Sequence, residues 1–216
     1  MFDFEGYNRE WIVKAQNGEP AFNDASNYGV TVFVTGGGSA PTDRVIGIHH
    51  LTGDENRGNH HIYVDVLDIR GNRQNLARLE LRTEYNYLTH AIVDKPLDES
   101  GTNFPMWDFG AASIRVVYDD ADPKRVASDT AAGIHFRHND EGPYNTWGHH
   151  SFYVCFMRMA LPAPPLPPVP PGADKVLWNG DIGLSKHHFY TRTPIAELET
   201  LLDAKTKVRV TRWNDE

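Results

Sequence analysis

The sequence predicts an all-β protein: a jelly-roll-like antiparallel β-sandwich with a short C-terminal α/β tail after a proline-rich linker. Two observations carry this reading. Between Gly29 and Met159 the dominant hydrophobic period is two, broken by recurrent turn signals. No long amphipathic helix interrupts that stretch, and many short strands without intervening helices close best as two packed sheets.

The elements follow in order. Residues 1–27 form an N-terminal extension, aromatic and polar, with no clean period. The sandwich is expected over 28–160, with strands at Gly29–Thr35, Arg44–Leu51, His60–Asp68, Ala77–Glu84, Ala112–Tyr118, Ala132–Arg137 and Ser151–Met159. GGGSAPT (Gly36–Thr42) and IRGN (Ile69–Asn72) read as loop or hairpin connections. A linker over 161–172, LPAPPLPPVPPG, has proline at seven of twelve positions and so favours extended polyproline II. In the tail, 173–216, a helix is expected over Pro194–Ala204, with Thr193 as its cap and Ile195, Leu198, Leu201 and Leu202 aligned, followed by a strand over Val208–Thr211. The tail is expected to dock on the body or on another chain, including a second copy.

Composition excludes several function classes. The net charge of −8 and the lack of a Lys/Arg stripe argue against nucleic-acid binding, which needs clustered positive charge. No apolar run is long enough to span a bilayer as a helix. The sequence MFDFEGYNREW lacks the basic and apolar regions of a Sec signal, so a virion-associated location or non-Sec export is expected. The single cysteine, Cys155, permits no intrachain disulfide, and its apolar strand makes it a small core residue rather than a nucleophile.

Eight of the eleven histidines stand in adjacent pairs: His49-His50, His60-His61, His149-His150 and His187-His188. Strand neighbours point to opposite faces, so each pair on a strand sends one imidazole inward and one outward. Phasing by apolar residues puts His50 with Ile46 and Ile48, His60 with Ile62, Val64 and Val66, and His150 with Phe152, Val154 and Phe156. Two readings stay open for His50, His60 and His150. They form a three-imidazole zinc or iron site, or each closes the sandwich end by bonding loop backbone.

The opposite faces carry His61, Tyr63 and Asp65 on one strand and His149, Ser151 and Tyr153 on another. Aromatic rings cover the apolar face of a sugar while carboxylate and imidazole bind its hydroxyls. A solvated outer face is the competing reading. The loops before these strands, LTGDENRGNHH and HNDEGPYNTWGHH, look like a pseudo-repeat. Asp54, Asn56, Asp140 and Glu141, with Glu55 and Asn145, are candidate calcium ligands if the loops meet, and Asx-turn formers if they do not. Glu55 with Asp140 or Glu141 is also the one carboxylate pairing that a glycosidase reading would use.

The stretches RVIGIHHLTGDENRGNHHIYVDVLDIRGNR (Arg44–Arg73) and GIHFRHNDEGPYNTWGHHSFYVCFMR (Gly133–Arg158) resemble an all-β accessory domain of bacterial and phage cell-wall or glycan-directed proteins. Such domains accompany lysozyme-like glycoside hydrolases. The resemblance implies a non-catalytic module that binds a glycan or cell-surface polysaccharide. Tyr63, Tyr153 and Trp147 would be its platforms, and Asp65, His61, His149, Arg57 and Glu55 its hydroxyl partners. A metal-dependent enzyme and a structural component of a phage tail or particle are the alternatives.

Overall fold

Two β-sheets face each other across a single apolar layer, and a helix roofs the outer side of one of them. The computed structural model describes residues 2–35, 42–106, 110–117 and 127–159. The proline-rich linker and the helix and strand expected in the tail lie outside the described residues, as does most of GGGSAPT.

The first sheet contains β1 (Phe22–Asn23), β3 (Thr42–His50), β4 (His61–Leu67), β7 (Thr102–Pro105), β9 (Ala127–Ser128) and β11 (Phe152–Met159). Its order is β1-β3-β11-β4-β7, with β9 also paired to β3. The second contains β2 (Thr31–Phe33), β5 (Arg78–Thr83), β6 (Leu88–Ile92), β8 (Ala112–Val117) and β10 (Thr130–Ile134), in the order β2-β10-β8-β5-β6. The sandwich matches the sequence expectation, with one correction. The first sheet is mixed rather than antiparallel, because β11 inserts between β3 and β4 and runs parallel to β4.

The inter-sheet core takes Ile48, Ile62, Val64, Val66, Phe152, Val154 and Phe156 from the first sheet, and Leu79, Leu81, Ile114, Val116 and Ile134 from the second. Ile46 departs from the predicted phase. Cys155 pairs with Gly47 and Phe156 with Val45, so Ile46 is the extra residue of a bulge and joins the outer cluster, while Val45 takes its inward place.

The largest correction concerns the N-terminus. Residues 4–16 form a helix, α1 (Phe4–Gln16), capped by Asp3, whose Oδ1 accepts from the Gly6 amide at 2.8 Å. Its apolar side, with Phe4, Tyr7, Trp11, Ile12 and Ala15, packs on Tyr153, Cys155 and Met157 of the first sheet and on Leu51 just beyond β3. The fit is close at Gly47: a Cβ there would lie 2.1 Å from the Trp11 ring. The region expected as an extension is therefore the roof of the sheet.

Candidate functional site

The roof reverses the environment expected for the outer-face residues. Tyr153 has no exposed surface, and its hydroxyl donates to Asp65 Oδ2 at 2.7 Å. Asp65, equally buried, is neutralised by Arg73 Nε at 2.7 Å and accepts from the Gly101 amide at 2.8 Å. Burial, reinforced by the Asp65 charge, holds the Tyr153 phenol well above its ordinary value. These two residues tie α1 to the sheet and are removed from any ligand surface. Cys155 is buried as expected, and burial pushes its thiol up.

Other predicted ligand residues do converge. Glu55, Arg57 and Tyr63 line a cleft of about 310 Å³ with Phe2, Phe4 and Lys95. Phe4 packs tilted against Tyr63 at 5.6 Å, giving an aromatic wall beneath a charged rim. His61 is half-buried beside Tyr63, 3.5 Å from its hydroxyl, whereas Trp147 and His149 stand exposed outside this cleft. His149 Nδ1–H donates to Gly58 O at 2.9 Å, a loop-closing role.

The two pseudo-repeat loops meet through a pair of asparagine amides. Thr52 and Glu55 fold the first into a single helical turn, α2 (Gly53–Asn56), in which Glu55 Oε2 accepts from the Thr52 amide and hydroxyl, both at 2.8 Å. Buried Asn56 Nδ2 donates to buried Asn145 Oδ1 at 2.8 Å, and Asn145 Nδ2 to Leu51 O at 2.8 Å. The carboxylates are used separately. Asp140 accepts from the Trp147 amide, Glu141 from Tyr28, and Asp54 is exposed. The calcium set Asp54, Asn56, Asp140 and Glu141 is thus dispersed by amide pairing and turn formation.

His49, which sequence reasoning left without a role, sits beneath the roof. Its Nδ1 lies 2.6 Å from Asp24 Oδ2 and its Nε2 3.0 Å from Glu55 Oε2. Carboxylate oxygens only accept, so both ring nitrogens carry protons and the ring is an imidazolium. Burial opposes that charge, but the two carboxylates outweigh it and raise the pKa above 6.5. Tyr7 donates to Glu55 Oε1 at 3.2 Å, and burial with the Glu55 charge pushes its hydroxyl up to about 12.

His50, one residue on, points into the sandwich end and meets other imidazoles. Its Nε2 is 2.9 Å from His150 Nδ1, with the rings 22° from coplanar. Tyr28 stacks on His50 at 3.8 Å and donates to Glu141 Oε1 at 2.7 Å, bringing Glu141 Oε2 to 3.9 Å from His50 Nδ1. The His138 ring stands 5.3 Å from that of His150, and His135 is 4.1 Å from His138. Burial and the neighbouring imidazoles lower His50 and His138 to about 4, and burial lowers His150.

His60 does not join them. The rows of β3 and β4 flank β11 and lie about 9.6 Å apart, two strand spacings. His60 instead stacks on His61 at 5.4 Å and stands 5.8 Å from His149. The three-imidazole set is therefore replaced by His50, His150 and Glu141, whose ligand atoms all lie within 4.8 Å of one another. Glu141, expected among oxygen ligands, stands instead beside two imidazoles, and His138 lies outside every predicted set.

No protein-family model and no curated protein matches the chain. Among solved structures, a C-terminal fragment of the pilus adhesin SpaC from Lactobacillus rhamnosus GG is similar at a TM-score of 0.26 and 10% identity, over 50% of this chain and 48% of that one. A likeness this distant carries no argument about function.

Proposed function

We propose that the protein is a non-catalytic carbohydrate-binding or surface-attachment module, with its ligand in the cleft between the α1 N-terminus and the loop before β4. The observation that supports this reading is the convergence of Tyr63, Arg57 and Glu55 with Phe2 and Phe4 on one concave surface. Aromatic side chains there offer an apolar wall to a sugar ring, and Arg57, Asn59 and Lys95 offer donors to its hydroxyls. Glu55 has a positioning role instead, since both its oxygens already accept from Tyr7, Thr52 and His49. The covered face of Tyr153 and Asp65 takes no part.

Glycan-array screening followed by calorimetry on the full chain tests the reading. Arg57 sits at φ 52°, a backbone conformation asparagine tolerates, so Arg57→Asn removes the guanidinium with little strain. Saturable binding that weakens at least about tenfold in this variant is expected, the loss of a charge-assisted hydrogen bond. A folded wild-type chain that binds nothing across a broad panel contradicts it.

A further inference from the structure

The geometry points to a second, independent site: we infer that His50, His150 and Glu141 bind a divalent transition-metal ion of the zinc class at the end of the sandwich. Hydrogen-bond direction is the starting point. Asn139 O, 3.1 Å from His150 Nε2, only accepts, so that nitrogen carries the proton and His150 Nδ1 presents a lone pair toward His50. This is the arrangement in which a backbone carbonyl fixes the tautomer of a metal-binding imidazole.

Without an ion, the 2.9 Å contact needs a proton on His50 Nε2. His50 Nδ1 is then a lone pair opposite Glu141 Oε2 at 3.9 Å, acceptor facing acceptor. A cation removes the conflict. With His50 in its other tautomer, its Nε2 lone pair and that of His150 Nδ1 face each other, and a modest rotation of the two rings brings both onto one ion. Their 2.9 Å separation is close to the roughly 3.3 Å that two ligands keep around a tetrahedral zinc ion. Glu141 brings a third ligand atom within 4.8 Å of the other two, along with a negative charge.

Surroundings add two observations. Tyr28 holds Glu141 in place from outside the ligand set, through its hydroxyl donation at 2.7 Å. His138, packed against His150, keeps Nε2 buried with no hydrogen-bond partner, a further nitrogen donor in the same cluster. Two imidazoles and one carboxylate suit zinc, or iron(II), and suit calcium poorly, since calcium takes oxygen ligands. Glu141 is exposed and gives the ion a route from solvent.

Chelator-stripped full-length protein titrated with Zn²⁺ by calorimetry, and with Co²⁺ by visible absorption, tests the inference. One equivalent per chain is expected, with cobalt bands of a low-coordinate nitrogen–oxygen site. His50→Gln and His150→Gln are expected to abolish those bands. Glu141→Gln, a change at an exposed residue that leaves the core intact, is expected to weaken binding at least about tenfold. Absence of saturable binding by folded wild type overturns the inference. Should the histidine variants fail to fold, unchanged affinity in Glu141→Gln overturns it equally, because the ion then sits elsewhere.

Discussion

His49 and His50 are neighbours on one strand, and their surroundings drive one to the charged form and the other to the neutral form. His49 turns outward beneath α1 and meets Asp24 and Glu55, which hold a proton on each ring nitrogen. His50 turns inward and meets His150, with His138 nearby, and burial together with those rings keeps it neutral down to about 4. Strand alternation alone separates them by the thickness of a sheet. Two adjacent residues of one type thus serve opposite ends: one is the charged clamp between a roof helix and a loop, the other a metal-ligand candidate.

The sharpest way to break the comparison is to remove the roof. Trp11→Ala is expected to cost about 3–5 kcal/mol, the usual loss for a fully buried large aromatic, measured by denaturant unfolding. His49 keeps Asp24 and Glu55 and loses part of the burial that opposes its charge, so its pKa should stay raised while His50 keeps its lowered one. A variant in which both change together would show that the two faces are not independent.

Glu55→Gln is the milder test. It leaves the helical turn in place but takes the charge from the His49 Nε2 contact and from the Tyr7 and Thr52 donors. A loss of about 1–3 kcal/mol is expected, as for a charge-assisted hydrogen bond broken at a partly buried site. The same unfolding experiment checks it, and a change too small to measure would deny Glu55 its clamping role.

How far the sequence revealed this division is instructive. The seven strands with strong alternation were legible, because alternate residues must face one apolar layer. The short strands β1, β6, β7 and β9 were not: β1, β6 and β9 bury none of their positions, and β7 buries Thr102 and Phe104 but is only four residues long. α1 carried a usable signal: Phe4, Tyr7, Trp11 and Ala15 recur at helical spacing after Asp3. Its aromatic content and the polar residues between obscured that period. Missing the helix led directly to misplacing Tyr153 and Asp65 on an open face. The histidine pairing was legible as far as alternation reaches. The choice of Glu141 over His60 was not, because it depends on β11 lying between β3 and β4 and on a loop returning 91 residues later.

The smallest effect is on stability against pH, where the two histidines act in different windows. The folded pKa of His49 is raised, so its stabilisation is complete below about 6.5 and is lost as pH rises through the folded value. His50 and His138 are depressed to about 4, so between roughly 6.5 and 4 the unfolded chain takes up protons first and stability falls as pH falls. Asp24 and Glu55 face His49, and His150, His138, Glu141 and Asp24 act on His50, so the two windows share Asp24 and otherwise depend on separate residues. Chemical denaturation across pH 4–8 is expected to show a maximum between the two declines.

The most direct test is histidine side-chain ¹⁵N NMR across pH on metal-free protein, with His49 and His50 assigned by single substitution to glutamine. The account predicts that His49 remains doubly protonated through neutral pH, while His50 shows one protonated and one bare nitrogen until the pH nears 4. Parallel titration of both rings near 6.5 would contradict it.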